Sequence, residues 1–121
     1  MSIIDRINSY EDACQLKGIQ PRTISDFSFL PEDDREAQFA SHQLDIIISV
    51  VNKGRKFDYN NRIEKKHFPW LIWTGSGFAL YVVICDVTGS SVGPRRSFFN
   101  EDDCRKTLEK FIHLYNQSYK Q

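Results

Sequence analysis

The sequence predicts an α+β fold on three observations. Apolar residues recur at intervals of three and four across 37–51, apolar and aromatic residues alternate at strand spacing across 67–87, and a capped amphipathic stretch closes the chain after Asn100. The expected order is an N-terminal helix, a long central helix, a three-stranded antiparallel β-meander and a C-terminal helix, all in a single domain spanning residues 1–121. A chain of 121 residues with 40% hydrophobic content suffices for one compact core without help from a metal or disulfide.

The first helix is expected to begin at Ser9, whose hydroxyl can cap the next turn with Asp12 at the capping-box position, and to stop at Gly18. Residues 19–30, with Pro21 and the apolar Ile24, Phe27, Phe29 and Leu30, predict a tethered loop whose aromatics dock on the core. Pro31 followed by Glu32, Asp33 and Asp34 is a helix entry, because proline lacks an amide that would go unpaired and carboxylates suit the positive end of the helix dipole. Ala37, Ala40, Leu44, Ile47, Ile48 and Val51 then give that helix a broad apolar face, and Gly54 is its expected left-handed stop.

His67–Thr74 predicts a first strand, Gly75-Ser76-Gly77 a turn, and Phe78–Val87 a second strand that is apolar on both faces and so expected at the centre of the sheet. A loop from Thr88 to Arg96 should lead to a short third strand around Ser97, Phe98 and Phe99. In the last helix Asn100 caps, Glu101, Asp102 and Asp103 fill the first turn, and Cys104, Leu108, Phe111, Ile112, Tyr115 and Tyr119 form one stripe.

Sixteen basic and sixteen acidic side chains give a formal net charge of zero, which argues against a surface that coats nucleic acid or acidic membrane as a whole. Cys14, Cys85 and Cys104 are widely spaced and odd in number, as expected of packed thiols in a reduced, cytoplasmic protein. With no CxxC and only three histidines, His42, His67 and His113, no zinc spacing is present, and no metal or cofactor is expected. The N-terminal residues lack the basic flank and apolar run of a secretory signal. Residues 67–85 carry no charge over nineteen positions, close to a spanning length, but Pro69, the Gly75-Ser76-Gly77 break and the β-branched second half favour a hairpin over a membrane helix.

The chemistry-bearing constellations are few. Lys53, Arg55, Lys56, Arg62, Lys65 and Lys66 interleave with Phe57 and Tyr59, an arrangement suited to holding a single strand by charge on phosphate and ring on base, with Arg95 and Arg96 as further cations should the fold bring them near. The alternative is a solvated connection pinned by its two rings. Asp26, Glu32, Asp33, Asp34 and Glu36 lack the glycine turn and ligand spacing of a calcium loop and read as dipole complements. Neither Gly75-Ser76-Gly77 nor Gly89–Gly93 precedes a helix, as phosphate loops do. Cys85 beside Asp86, with His67 on the neighbouring strand, is the sole nucleophile arrangement, and its apolar run Val82-Val83-Ile84 predicts a buried thiol; Ser76 lacks the GxSxG elbow. No catalytic residue is therefore assigned. Trp70, Trp73 and Tyr81 lead a concentration of aromatics on the strands, more than a small sheet covers, and are the expected partner surface. Strand alternation places the two indoles on opposite faces, one beneath the long helix and the other toward a loop, a dimer mate or solvent.

Several phrases also carry a resemblance. Tyr10-Glu11-Asp12-Ala13-Cys14 with Gly18-Ile19 and Pro21, Leu30-Pro31-Glu32, Val51-Asn52-Lys53-Gly54 with Phe57-Asp58-Tyr59-Asn60-Asn61, Phe68-Pro69-Trp70, Ser76-Gly77-Phe78 and Ser91-Val92-Gly93 resemble, in joint order, a family of small uncharacterised proteins of gut-type anaerobic bacteria and their phages and mobile elements. The chain departs from it at Pro94-Arg95-Arg96, where a Ser-Arg-Leu-Cys-Phe type of run is usual, and at Arg55-Lys56-Phe57, where a Trp-Lys-Pro type is usual. The resemblance implies one domain and an accessory or mobile-element role, and supplies no catalytic residues. The expectation is a non-enzymatic protein-interaction module that binds an unknown protein partner or weakly self-associates, away from membranes. The rival is a nucleic-acid-associated protein using residues 53–66.

Overall fold

The computed structural model describes residues 2–58, 60–61, 63–87 and 96–120. Four helices and one hairpin follow in the order α1 (Ile3–Arg6), α2 (Tyr10–Lys17), a 3₁₀ turn (Ile24–Phe27), α3 (Glu32–Val51), β1 (Lys65–Trp73), β2 (Phe78–Val87) and α4 (Glu101–Ser118). The class is α+β, as the periodicities predict.

Helix ends form where capping chemistry allows them. Ser9 Oγ accepts from the Asp12 amide (3.1 Å) and Asn100 Oδ1 from the Asp103 amide (2.7 Å), satisfying donors the first turns leave open. Gly18 stops α2 at φ 77°, and its amide donates to the Gln15 carbonyl while that of Ile19 reaches Cys14. Helix α3 ends in the same way, with left-handed Lys53 and Gly54 (φ 57° and 72°) after Asn52. Pro31 lies at the N-cap of α3, one position before the first helical residue, Glu32, rather than in that first position as its missing amide predicts.

The short α1 has no periodicity to announce it. Asp5 accepts from both the amide and the hydroxyl of Ser2, and the far end is closed by α4: Lys110 Nζ donates to the carbonyls of Ile4 (2.7 Å) and Ile7 (2.8 Å). Ile4 and Ile7 are thereby sealed into a core built chiefly by α3 and α4, with Leu44, Ile47 and Ile48 facing Leu108, Phe111 and Tyr115. Tyr10, Ala13 and Cys14 add α2 to the same cluster. Of the loop aromatics, Phe27 docks against Phe39 and His42, whereas Phe29 stands exposed.

The sheet corrects two expectations. Among the described residues it has two antiparallel strands rather than three, and residues 97–99 contribute a single bridge, between Phe98 and His67. A third strand needs successive residues paired to one neighbour, but Ser97 and Phe99 are engaged by other elements. Strand β2 is accordingly not covered on both faces: Tyr81, Val82 and Val87 are exposed. The hairpin packs on α4 through Leu71, Leu80 and Val83, and not under the long helix α3. At the turn end the Phe78 amide donates to Asn116 Oδ1 (2.6 Å) and Asn116 Nδ2 donates to the Phe78 carbonyl (3.1 Å), so an amide side chain takes the place of a neighbouring strand.

Leu44, fully buried in the core cluster, supports the packing that Asn100 merely caps. Leu44→Ala is expected to lower unfolding free energy by about 2–5 kcal/mol, and Asn100→Ala by about 1 kcal/mol, in urea titrations followed by far-UV circular dichroism.

Candidate functional site

Two surfaces emerge from this frame. The first is the outer face of the hairpin. Trp70 pairs with Val82 but Leu71 pairs with Leu80, which leaves Tyr81 as an extra residue: a bulge in β2 where two residues oppose one. The bulge keeps Leu80 and Val83 on the core side while both intervening side chains turn outward. Tyr81 (67% exposed) and Val82 (40%) thus join Trp70 (55%) and Ile72 (42%) in one apolar patch. Trp73 (62% exposed) belongs to the opposite face, as alternation predicts, but lies at the hairpin end against Phe78, which in turn meets Tyr119. Neither indole packs beneath α3, because the sheet sits on α4 and both tryptophans lie beyond its cover.

The second surface surrounds the end of α3, and four of the sequence-predicted cationic residues, Lys53, Arg55, Lys56 and Arg96, fall near it. Lys53, Arg55 and Lys56 are exposed, and the Arg55 guanidinium lies over the Phe99 ring at 3.9 Å from its centroid. Phe57 is not accessible: it is buried and stacked on Phe99 with ring centroids 4.1 Å apart. Arg96 does arrive here, its Nε donating to Asp45 Oδ1 at 3.2 Å, while Ser97 accepts from Asn52 Nδ2 at 3.0 Å. Lys65 is exposed at the start of β1, but its neighbour Lys66 is fully buried rather than solvated: it shares the face of Trp70 and Ile72, and at this end of the strand that face is enclosed, Phe68 being buried with it. Tyr59, Arg62 and Arg95 lie outside the described residues.

Lys17, Ser49 and Asn52 also reach this second surface, and sequence reasoning passed over them. Lys17 Nζ donates to Ser49 Oγ across 32 positions of sequence at 2.8 Å, a proximity no local pattern encodes. A lysine immediately before the Gly18 stop was the available signal, because it fixes that side chain at a helix end.

Other chemistry is sparse. Register puts His67 opposite Cys85, as expected, yet no hydrogen bond joins the two, and the thiol is exposed rather than buried, as are Asp86 and Val87 after it. Among the described residues no group of three or more His, Cys, Asp or Glu side chains is placed to hold a metal ion, and no helix is long and apolar enough to cross a membrane. Burial pushes the Tyr10 hydroxyl and the Cys104 thiol each up to about 12, and raises the Tyr115 hydroxyl further. At the surface, hydrogen bonds from Ser2 and then Lys106 lower the Asp5 carboxyl. No protein-family model, curated protein or solved structure matches the chain.

Two outcomes follow from these environments. In the folded chain Tyr10 and Cys104 keep their protons to about 12, whereas unfolding returns them to ordinary values of 10.0 and 9.0. The folded state therefore binds more protons across that window, and stability is expected to fall as pH rises from about 9 to 12, read as the thermal midpoint in a pH series. A thiol reagent at neutral pH should label Cys85 quickly and Cys14 and Cys104 only on unfolding, so that Cys85→Ser abolishes the fast phase.

Proposed function

We propose that the chain is a protein-interaction module without catalytic chemistry of its own, and that its contact surface is the outer face of the β1–β2 hairpin. The observation that carries this reading is the bulge at Tyr81, which adds a second outward apolar residue opposite Trp70 and gathers four large apolar side chains on one face. Exposed apolar clusters rich in Trp and Tyr are the usual anchors of protein interfaces, where truncating one commonly costs about 2 kcal/mol or more. An accessory role, as the resemblance implies, needs nothing beyond such a surface.

The rival reading, contact with nucleic acid through residues 53–66 and Arg95-Arg96, gains from the arrival of Arg96 beside the end of α3. Against it stand the enclosure of Lys66 and the stacking of Phe57 on Phe99, which remove one cation and one ring from reach. Its signature would be affinity for single-stranded DNA or RNA that falls steeply with salt.

A Trp70→Ser/Tyr81→Ser variant separates the readings. Both side chains are exposed, so stability should stay within about 0.5 kcal/mol of the parent. Association with a protein partner, or self-association in sedimentation velocity, should weaken by roughly 30-fold or more. Retention of every protein association by a folded variant would refute the hairpin surface, and salt-sensitive binding of single strands would favour the rival.

A further inference from the structure

A cleft of about 450 Å³ opens at the end of α3, within the size range of small-ligand sites. Lys17, Arg55 and Lys56 line it together with a single carboxylate, Asp45, and that carboxylate is held by Arg96 at 3.2 Å. Among the described residues none of the three lining cations has an ion-pair partner.

Cations near helix C-termini ordinarily serve the last carbonyls. Here that duty is already taken by backbone. The carbonyls of Ile48, Ser49 and Val50 accept from the amides of Asn52, Gly54 and Lys53 at 2.9, 2.9 and 3.0 Å, and α2 ends by the same device. Lys17 donates instead to the Ser49 hydroxyl, and Arg55 rests on a ring, which leaves its guanidinium edge open.

A second observation points to a ligand. Asn52 lines the cleft and is 8% exposed; its Nδ2 donates to Ser97, but its Oδ1 is buried and accepts no hydrogen bond. A buried acceptor without a donor costs about 1–3 kcal/mol, a deficit that a hydroxyl or amino group brought by a ligand removes. Ile46 and Phe57 complete the lining with apolar surface.

We propose that this cleft binds a small organic phosphate of mononucleotide size. Its phosphate sits among Lys17, Arg55 and Lys56, its flat body lies on the half-buried Ile46, and a donor on that body meets Asn52. Phosphate fits better than carboxylate because three cations match a dianion rather than a single negative charge, and the planar guanidinium of Arg55 can hold two of its oxygens at once, as it could a carboxylate's.

Calorimetric titration at low ionic strength with adenosine 5′-monophosphate, adenosine and inorganic phosphate tests this. The monophosphate should bind at least tenfold more tightly than either fragment, since only it engages both the cations and the apolar wall. Arg55→Ala and Lys56→Glu, both at exposed positions, should each weaken it tenfold or more without shifting the thermal midpoint; Lys56→Glu guards against any loss of packing when Arg55 leaves Phe99. Absence of binding at millimolar monophosphate, equal affinity for inorganic phosphate, or undiminished affinity in folded Lys56→Glu would each overturn the proposal. Tighter binding of an unphosphorylated single-stranded oligonucleotide than of the monophosphate would overturn it as well and assign the cations to a strand.

Discussion

Four consecutive residues, Arg96 to Phe99, tie the helical layer to the hairpin. Arg96 is held by Asp45 of α3, Ser97 by Asn52 at the end of that helix, Phe98 by reciprocal backbone bonds with His67 of β1 (2.8 and 2.7 Å), and Phe99 by the face of Phe57. Phe98 has no exposed surface, so the backbone pairing with His67 is made at the edge of the core, where an unpaired amide would be costly. Each bond goes to a different part of the chain, which is why the segment cannot also be a strand. Segment 52–57, the start of β1 and the entry to α4 all take their positions from it.

Both candidate surfaces depend on that tie. By fixing the start of β1, it sets which side chains of the hairpin face α4 and which face away, and the bulge at Tyr81 then resets the alternation so that the inward set survives. By clamping Phe57 and Arg55 over Phe99, it holds the chain after α3 close enough to Lys17 and Ser49 for a cleft to exist. The two surfaces therefore share one support, the segment from Arg96 to Phe99.

The legible parts of the fold were those encoded locally. Helix α3 and helix α4 are written in three-and-four spacing with caps at Asn100 and Gly54, and β2 in alternation bounded by Gly77 and Thr88. Helix α1 was not legible, because four residues are too few to show periodicity: its Ser2–Asp5 cap is local, but its far end is closed by a lysine over a hundred positions away. The missing third strand has the same cause: Phe98 has strand composition, but its neighbours are claimed by distant partners. Two-faced apolarity in β2 suggests two-faced burial, though a strand whose outer face is left uncovered carries the same pattern. At the sites, alternation correctly separated Trp70 from Trp73, while the depth of Lys66 and the meeting of Lys17 with Asn52 depend on tertiary placement that no local pattern records.

The amide of Asn116 on the backbone of Phe78 has a consequence for how the chain behaves in a crowd. Among the described residues the sheet has only two strands, and a strand side left open invites other strands to add; a run of eight uncharged residues, Phe78 to Cys85, is poor protection against this. By occupying the first outward donor and acceptor of β2, Asn116 acts as a stopper against propagation from the turn end. Glycine at 77 gives the stopper room: a methyl group there would lie 3.2 Å from Asn116 Oδ1, tighter than an ordinary contact. One hydrogen atom in place of a side chain thus helps to keep a sticky strand from recruiting its own copies.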